Sequence, residues 1–569
     1  MSSTTYDFII VGAGAAGCAL AWRLAQTPSR PRILLLEAGG ENKNPHFRID
    51  GDRWTIRMNP ELAWGYHTEP QEALSGRKIE YDRGKGLGGS TAINFGVWNL
   101  PPRDDFSEIA RLSGDASWEW ESVRPLLNSM VDYRAVDVPK GVETYLDPDP
   151  AIHGKGGPLK VGFAKIWEKS MVDVIKVFEK NGYPVNKDHG TGDHMGIWIA
   201  PNTMFKGIRS TAADLLEDLP ENLTILTNSH ISKVVFKDRK AVGVETSDGK
   251  TYAAEKEVIL SAGALDTPKI LMLSGIGDKD QLSSFGIPVI HDNKSVGRNL
   301  SDHVHVGLTW VRKDHSSIRR AYFNKPELRE AAIKQWEETG DGPLADLMTQ
   351  LAIVFSKNKT VLSSPEFKAL PEHRQKHLLA PTTPTYEIAL NPPSAEYFVD
   401  PVNAQALESI LVFVQNNESR GSVTLQSADP TLPALFDPKF LTHEYDQRVA
   451  IEVMRDVLNV SDSPEFQADT ISMLHGPKSR SDEDILAYWK ENLVSTWHMT
   501  GTAKMGQSEV EDNAVVDSQN RVFGVDGLRV ADMSIVPIMA NSHVQTVAYI
   551  TGLLAAEKII REYKLTSKL

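Results

Sequence analysis

The run Gly12-Ala-Gly14-Ala-Ala-Gly17 spaces three glycines as a chain does when it holds a dinucleotide pyrophosphate on backbone N–H groups. The first glycine makes the tight turn, the second lets the pyrophosphate approach, and the third lets the following helix pack on the preceding strand. The phosphates then meet a helix N-terminus, where unpaired N–H groups and the dipole favour negative charge. Glu37 follows Gly14 by 23 residues, which places its carboxylate to accept hydrogen bonds from an adenosine ribose. Glutamate there, in place of an arginine that would meet a 2′-phosphate, implies FAD or NAD and not NADP. Arg83-Gly-Lys-Gly-Leu87-Gly88-Gly89-Ser90-Thr91-Ala-Ile93-Asn94 is a second glycine-rich run, too distant to serve the same turn, so the expected ligand is long. His303 and His305 have the i, i+2 spacing that suggests a metal. No carboxylate–histidine or cysteine partner stands at ligand spacing, so they are read as structural and no metal site is assigned.

These groups need elements to hold them. Tyr6–Val11 is a buried-strand run, Gly12–Gly17 opens a helix through Cys18–Ala25, and Ile33–Leu36 is a second strand ending at Glu37. Glu257–Ser261 is a strand, and a helix is expected from about Thr267 to Gly275, with Pro268 at its start. Leu411–Gln415 and Gly421–Gln426 alternate as strands, with Asn416-Asn417 and Arg420-Gly421 as turn signals between them, and are expected to roof the active site. At 569 residues the chain is long enough to bury a large core without staples. Its 61 basic against 75 acidic residues, net −14, disfavour nucleic acid and anionic membrane as partners. A single cysteine, Cys18, excludes an intrachain disulfide framework and a thiolate-rich metal site. The apolar stretch Phe8–Trp22 is too short to span a membrane, so no membrane insertion is expected. Arg312-Lys313 and Arg319-Arg320, interrupted by Asp314, read as a solvated face. Ser567-Lys568-Leu569 matches the C-terminal peroxisomal address, so a peroxisomal import receptor is an expected partner, with a cytoplasmic location as the alternative.

Two further segments complete a pattern. Thr496-Trp497-His498-Met-Thr-Gly501-Thr502 is followed by Gly527-Leu-Arg-Val-Ala531-Asp532 and Asn541-Ser-His543-Val-Gln545-Thr546. With the Gly12 turn, the Gly263–Gly277 segment and Val296-Gly-Arg-Asn-Leu-Ser-Asp302-His303, the chain resembles the glucose-methanol-choline (GMC) oxidoreductase family over nearly its whole length. The resemblance implies an α/β protein, α+β overall: a discontinuous Rossmann-like FAD-binding domain and a substrate domain of antiparallel sheet with helices. On the motif positions, the cofactor domain takes 5–150, 197–305 and 496–565, and the substrate domain takes 155–195 and 306–495. Carried over residue by residue, the ADP-side contacts are Gly12, Gly14, Ala15, Ala16, Glu37, Ala38 and Val234. The isoalloxazine-side contacts are Leu87, Asn94, Phe95, Gly96, Val97, Trp497, Asp532, His543, Gln545 and Thr546. Relatives with covalent FAD attach it through a histidine at the position of Ile93, so the FAD is expected to be noncovalent.

The family chemistry assigns roles to two histidines. Oxidising an alcohol by hydride transfer to flavin N5 requires a base for the hydroxyl proton, and imidazole titrates nearest the working pH. His498 is the candidate base, and His543 is the candidate group that holds the substrate oxygen. A helix from about Val544 to Tyr563 would aim its N-terminus at the charge of reduced flavin near N1. Trp497 and Trp98 are candidates for the cavity wall. The resemblance implies an oxidase of primary alcohols, and of hydrated aldehydes, that passes electrons to O₂ and releases hydrogen peroxide. The alternatives are a dehydrogenase using a quinone or another acceptor, a nonredox lyase of the hydroxynitrile type, and a noncatalytic flavin-binding protein. Formate oxidases of the family carry arginine where this chain has His543, so a small acid substrate is not expected.

Overall fold

Strand β1 (Thr5–Val11) is apolar on both faces from Phe8 to Val11, and these four residues are buried, as a strand covered on both sides requires. The computed structural model of the chain describes residues 5–135, 139, 142–313, 325–346, 350–392 and 406–566. Ser567, Lys568 and Leu569, and with them the C-terminal address, lie outside the described residues, as do Asp314, Arg319 and Arg320. β1 pairs in parallel with β2 (Ile33–Leu36), which pairs in parallel with β3 (Leu223–Leu226). An antiparallel meander follows, β4 (Ile231–Lys237), β5 (Lys240–Thr246) and β6 (Thr251–Leu260), and the end of β6 returns to β1 in parallel, Val11 opposite Leu260. Helix α1 (Ala15–Ala25) starts where β1 stops. Gly12 makes that turn at φ +100°, where an added Cβ would stand 2.4 Å from the Ser261 carbonyl oxygen.

Helix α2 (Gly263–Leu273) begins four residues earlier than the position of Pro268 suggests, and the proline lies inside it. A proline inside a helix leaves the carbonyl four residues back without its donor. Here that carbonyl, Ala264, accepts the Thr502 hydroxyl at 2.6 Å, so a residue 238 positions away supplies the missing hydrogen bond.

The chain then builds a second sheet, from β7 (Val304–Arg312), β8 (Ala352–Ser356), β9 (Tyr386–Leu390), β10 (Ala406–Val414) and β11 (Thr470–His475). It is antiparallel, in the order β8-β9-β10-β7-β11. Helix α3 (Glu444–Ser461) packs on β10. The two alternating stretches around Asn416 belong to different sheets. β10 lies in this one, whereas Gly421–Thr424 pairs with Arg298–Leu300 and Leu435–Asp437. Of these two stretches only β10 faces the cavity described below, through Leu411 and Phe413.

A two-residue strand, β12 (Val494–Ser495), pairs with the start of β7 and sets the segment after it beside His303. The chain then returns to the first sheet as β13 (Leu528–Val530), parallel to β6, and ends in α4 (Gln545–Glu562). α4 is buried nearly all round, and Val547, Ile550, Leu553 and Ile559 are inaccessible, each contributing about 1.5–3 kcal/mol. It crosses α1 at Gly552, where a Cβ would stand 2.1 Å from the Ala16 carbonyl oxygen. The fold is α/β, α+β overall, with a Rossmann-like sheet beside an antiparallel one.

Candidate active site

The ends of β1 and β6 open onto a cavity of about 320 Å³, where the edge of an open parallel sheet leaves room for a ligand. Gly12, Gly14, Ala15, Ala16, Glu37 and Ala38 line it. No side chain caps α1, so its first N–H groups are left for an anion. Glu37 Oε1 accepts from the N–H groups of Gly39 at 2.9 Å and Gly86 at 3.0 Å, and Oε2 accepts from Ala13 at 2.9 Å. Burial raises the carboxyl's pKa, and these backbone donors oppose the rise. These donors hold the carboxylate on the cavity lining, where a ribose hydroxyl can reach it.

Ile93, Asn94, Phe95, Gly96 and Val97 continue the lining, together with Gln545 at the start of α4, a helix that also lacks a side-chain cap. Asn94 Nδ2 donates to Gln545 Oε1 at 3.2 Å, and Gln545 Nε2 donates to the Val97 carbonyl at 2.5 Å. Asp532 lines the cavity and also fixes α2, accepting from Gly263 N–H at 2.9 Å and the Thr267 hydroxyl at 2.6 Å. Two uncapped helix starts, a buried ribose acceptor and a continuous lining from Gly12 to His543 fit an FAD. Leu87, Val234 and Thr546 are not on this lining. The Val234 N–H is bound to the Ser274 hydroxyl, and the Thr546 hydroxyl is bound to the Asn99 carbonyl.

Trp497, His498 and His543 meet at the other part of the cavity. Trp497 has φ +59°, costly for a bulky aromatic, and three groups hold the turn. Trp497 N–H donates to Ser495 Oγ at 2.8 Å, Arg83 Nη1 donates to the Trp497 carbonyl at 2.6 Å, and the His498 N–H donates to Asp302 Oδ1 at 2.7 Å. Ser495 Oγ in turn donates to Asp302 Oδ2 at 2.5 Å. Burial pushes the Asp302 carboxyl up to about 7 against these donors.

The His498 and His543 rings lie 5.3 Å apart between centroids, nearly perpendicular. His498 Nδ1 lies 3.0 Å from His303 Nδ1, and its Nε2 is the ring nitrogen left for the cavity. Burial holds His498 well below the usual imidazole range, with neighbouring imidazoles and Arg83 adding to the effect. His543 is fixed by its N–H on Asn99 Oδ1 at 3.0 Å and by Nε2 on Glu387 Oε1 at 2.8 Å, while Glu387 Oε2 accepts from Gln415 Nε2 at 2.8 Å. Trp54, Phe95, His305 and Phe413 complete an aromatic wall, with the Arg57 guanidinium 4.0 Å over the Trp497 ring. Trp98 is not part of the wall; it is buried against Tyr549.

Sequence reasoning missed Glu387, Asn99 and Arg83, and it read His303 and His305 only as a pair. Strand-like spacing gave the signal for both histidines, because residues two apart share one face. His303 backs His498, and His305 stacks on Phe413 with ring centroids 4.9 Å apart. Glu387 carries no local signal, standing on β9, 156 residues from His543 in the loop before α4.

This arrangement defines a flavin-dependent oxidoreductase. The GMC oxidoreductase family matches residues 6–305 at its N-terminal part and 417–552 at its C-terminal part, and the chain belongs to that family. A glucose methanol choline oxidoreductase of Aspergillus terreus is 31% identical, covering 98% of this chain and 93% of its own. An oxygen-dependent choline dehydrogenase of Rhizobium etli is also 31% identical, over 97% and 95%. A formate oxidase structure from Aspergillus oryzae superposes with a TM-score of 0.89 at 27% identity, over the full length of both chains. Like its relatives, the protein binds FAD and acts as an oxidoreductase on CH–OH donors.

Proposed function

We propose that this GMC oxidoreductase is an oxidase of primary alcohols, and of hydrated aldehydes, using O₂ as acceptor and releasing hydrogen peroxide. The observation that carries the reading is the pair of imidazoles 5.3 Å apart beside an aromatic wall, one of them buried with a ring nitrogen left for the cavity. Bound FAD supplies the acceptor for the hydride that leaves the alcohol carbon. His498 Nε2 takes the hydroxyl proton, and burial keeps that nitrogen unprotonated at working pH. His543, locked by Glu387 and Asn99, holds the substrate oxygen and sets the direction of the C–H bond. The aromatic wall of Trp54, Phe95, Trp497 and Phe413 excludes water and favours an apolar or aromatic alcohol over a sugar.

Anaerobic mixing of the holoenzyme with benzyl alcohol, 1-hexanol, glucose, choline and formate tests this, followed by peroxide measurement in air. Flavin bleaching by a primary alcohol with stoichiometric peroxide is expected. Bleaching without peroxide would make the protein a dehydrogenase, and a substrate that turns over without bleaching would make it a lyase. In His498→Ala, bleaching should slow by at least about 100-fold with FAD still bound.

A further inference from the structure

We propose that His303 is a positioning residue that sets the tautomer of His498, keeping the proton on Nδ1 and the lone pair on Nε2 toward the substrate. The inference rests on His498 being the base.

Two imidazole nitrogens 3.0 Å apart share one hydrogen, so one ring donates and the other accepts. If His303 donated, His498 would carry its proton on Nε2 and present a donor to the alcohol, with no lone pair to receive a proton. If His498 donates from Nδ1, Nε2 is bare. When the substrate O–H bond breaks, its proton joins Nε2 while the hydride leaves for FAD, and His498 becomes an imidazolium with two N–H groups. The Nδ1–H then needs an acceptor, and the only one in reach among the described residues is His303 Nδ1.

In that role the His303 hydrogen sits on Nε2, which is buried without a partner, a cost the arrangement carries. His303 is inaccessible to solvent, and burial lowers its pKa to about 3, with His543 adding to the effect. It therefore stays neutral and keeps one nitrogen free to accept. The charged and titratable groups around the two rings are Asp302, Arg83, Tyr81, His305 and His543. Of these, Asp302 is engaged by the His498 N–H and the Ser495 hydroxyl, so it holds the backbone of His498 and not its ring. Consecutive residues thus divide the work: Asp302 fixes where His498 stands, and His303 fixes which nitrogen is bare. A neutral acceptor also stabilises the imidazolium less than a carboxylate does, which suits a base that must release its proton each cycle.

The test compares His303→Asn, His303→Gln and His303→Leu as holoenzymes, with FAD content and melting temperature recorded. Asparagine places an oxygen near the Nδ1 position, glutamine places it near Nε2, and leucine offers none. In anaerobic reduction by benzyl alcohol, or the fastest alcohol of the panel, the leucine and glutamine variants should be at least about 10-fold slower with substrate affinity within about 3-fold. The acidic limb of the pH profile should move to lower pH in the leucine variant, because the imidazolium has lost its acceptor, and the asparagine variant should recover most of the rate. In ¹⁵N-histidine spectra of the wild-type holoenzyme, the resonance lost in His498→Ala should show Nδ1 protonated and Nε2 bare. Wild-type reduction and pH profile in His303→Leu would overturn the proposal, as would an Nε2-protonated His498 or equal rates for the asparagine and glutamine variants. The last comparison decides the matter if the leucine variant loses FAD. A fast His498→Ala would remove the base itself, whereas a slow His498→Ala beside a fast His303→Leu removes only the role of His303.

Discussion

Replacing Glu387 by glutamine isolates one charge at the site. Glu387 is buried and holds His543 Nε2 with one oxygen and Gln415 Nε2 with the other. Glutamine keeps an oxygen for His543 but turns an amide toward Gln415. That clash resolves by rotation of the Gln415 amide, whose own oxygen is buried without a partner and can accept the new N–H. Both hydrogen bonds therefore survive in number, and stability should change by less than about 1 kcal/mol. What is lost is the charge. Hydrogen bonds to ionised groups are worth about 1.5–3 kcal/mol against about 1 for neutral ones, so the orientation of His543 should weaken by roughly 1–1.5 kcal/mol, or about 10-fold in rate. Glu387→Leu, which leaves both partners unpaired, should lose more rate and also melt lower. The assay is anaerobic stopped-flow flavin reduction by benzyl alcohol, with FAD occupancy and melting temperature measured on the same preparations. Wild-type reduction in Glu387→Gln would refute the reasoning, and so would a variant whose loss lies in FAD occupancy with an unaltered rate.

Acid or heat should release all of the FAD from precipitated protein, since Ile93 cannot form a histidyl bond; flavin fluorescence remaining in the washed pellet would contradict this. Thr502→Val removes the donor to the Ala264 carbonyl inside α2 and should cost about 1–3 kcal/mol, read by chemical denaturation, with Thr502→Ser restoring most of it. His189 and His194 are buried with no hydrogen bond at either ring nitrogen, and burial depresses them to about 3 and about 4. Their folded pKa values lie below the unfolded value of about 6.5, so the stability they carry is complete above that pH and is lost as pH falls toward 4. In His194→Phe, beside Trp198 and Phe355, the decline of melting temperature between pH 6.5 and 4 should be shallower, and an unchanged slope would contradict the assignment.

The elements with local signals were legible. Phe8–Val11 reads as a buried strand because four consecutive apolar residues suit a strand covered on both faces, and the Gly12 turn follows from a backbone that only glycine adopts without strain. The helix expected from about Val544 to Tyr563 is Gln545–Glu562. Pro268 misled because its rule is local: a proline starts helices unless some distant donor satisfies the carbonyl it strands, and Thr502 does so. The strand Gly421–Thr424 likewise has the alternation of its neighbour β10 but not its sheet, since period-two patterning says which residues face together and nothing about the partner strand.

At the site, spacing along the chain was enough to pick out the Gly12–Gly17 turn and Glu37, because a glycine turn and the acidic residue that ends the next strand are local features. Family segments brought in His498 and His543. Their partners were decided by tertiary structure alone. His303 meets His498 because β12 pairs with β7, and Glu387 reaches His543 from β9, which the antiparallel sheet holds beside β10. A hydrogen bond between side chains 156 or 195 residues apart depends on sheet order and strand register. Those are properties of the assembled core, which no window of sequence contains.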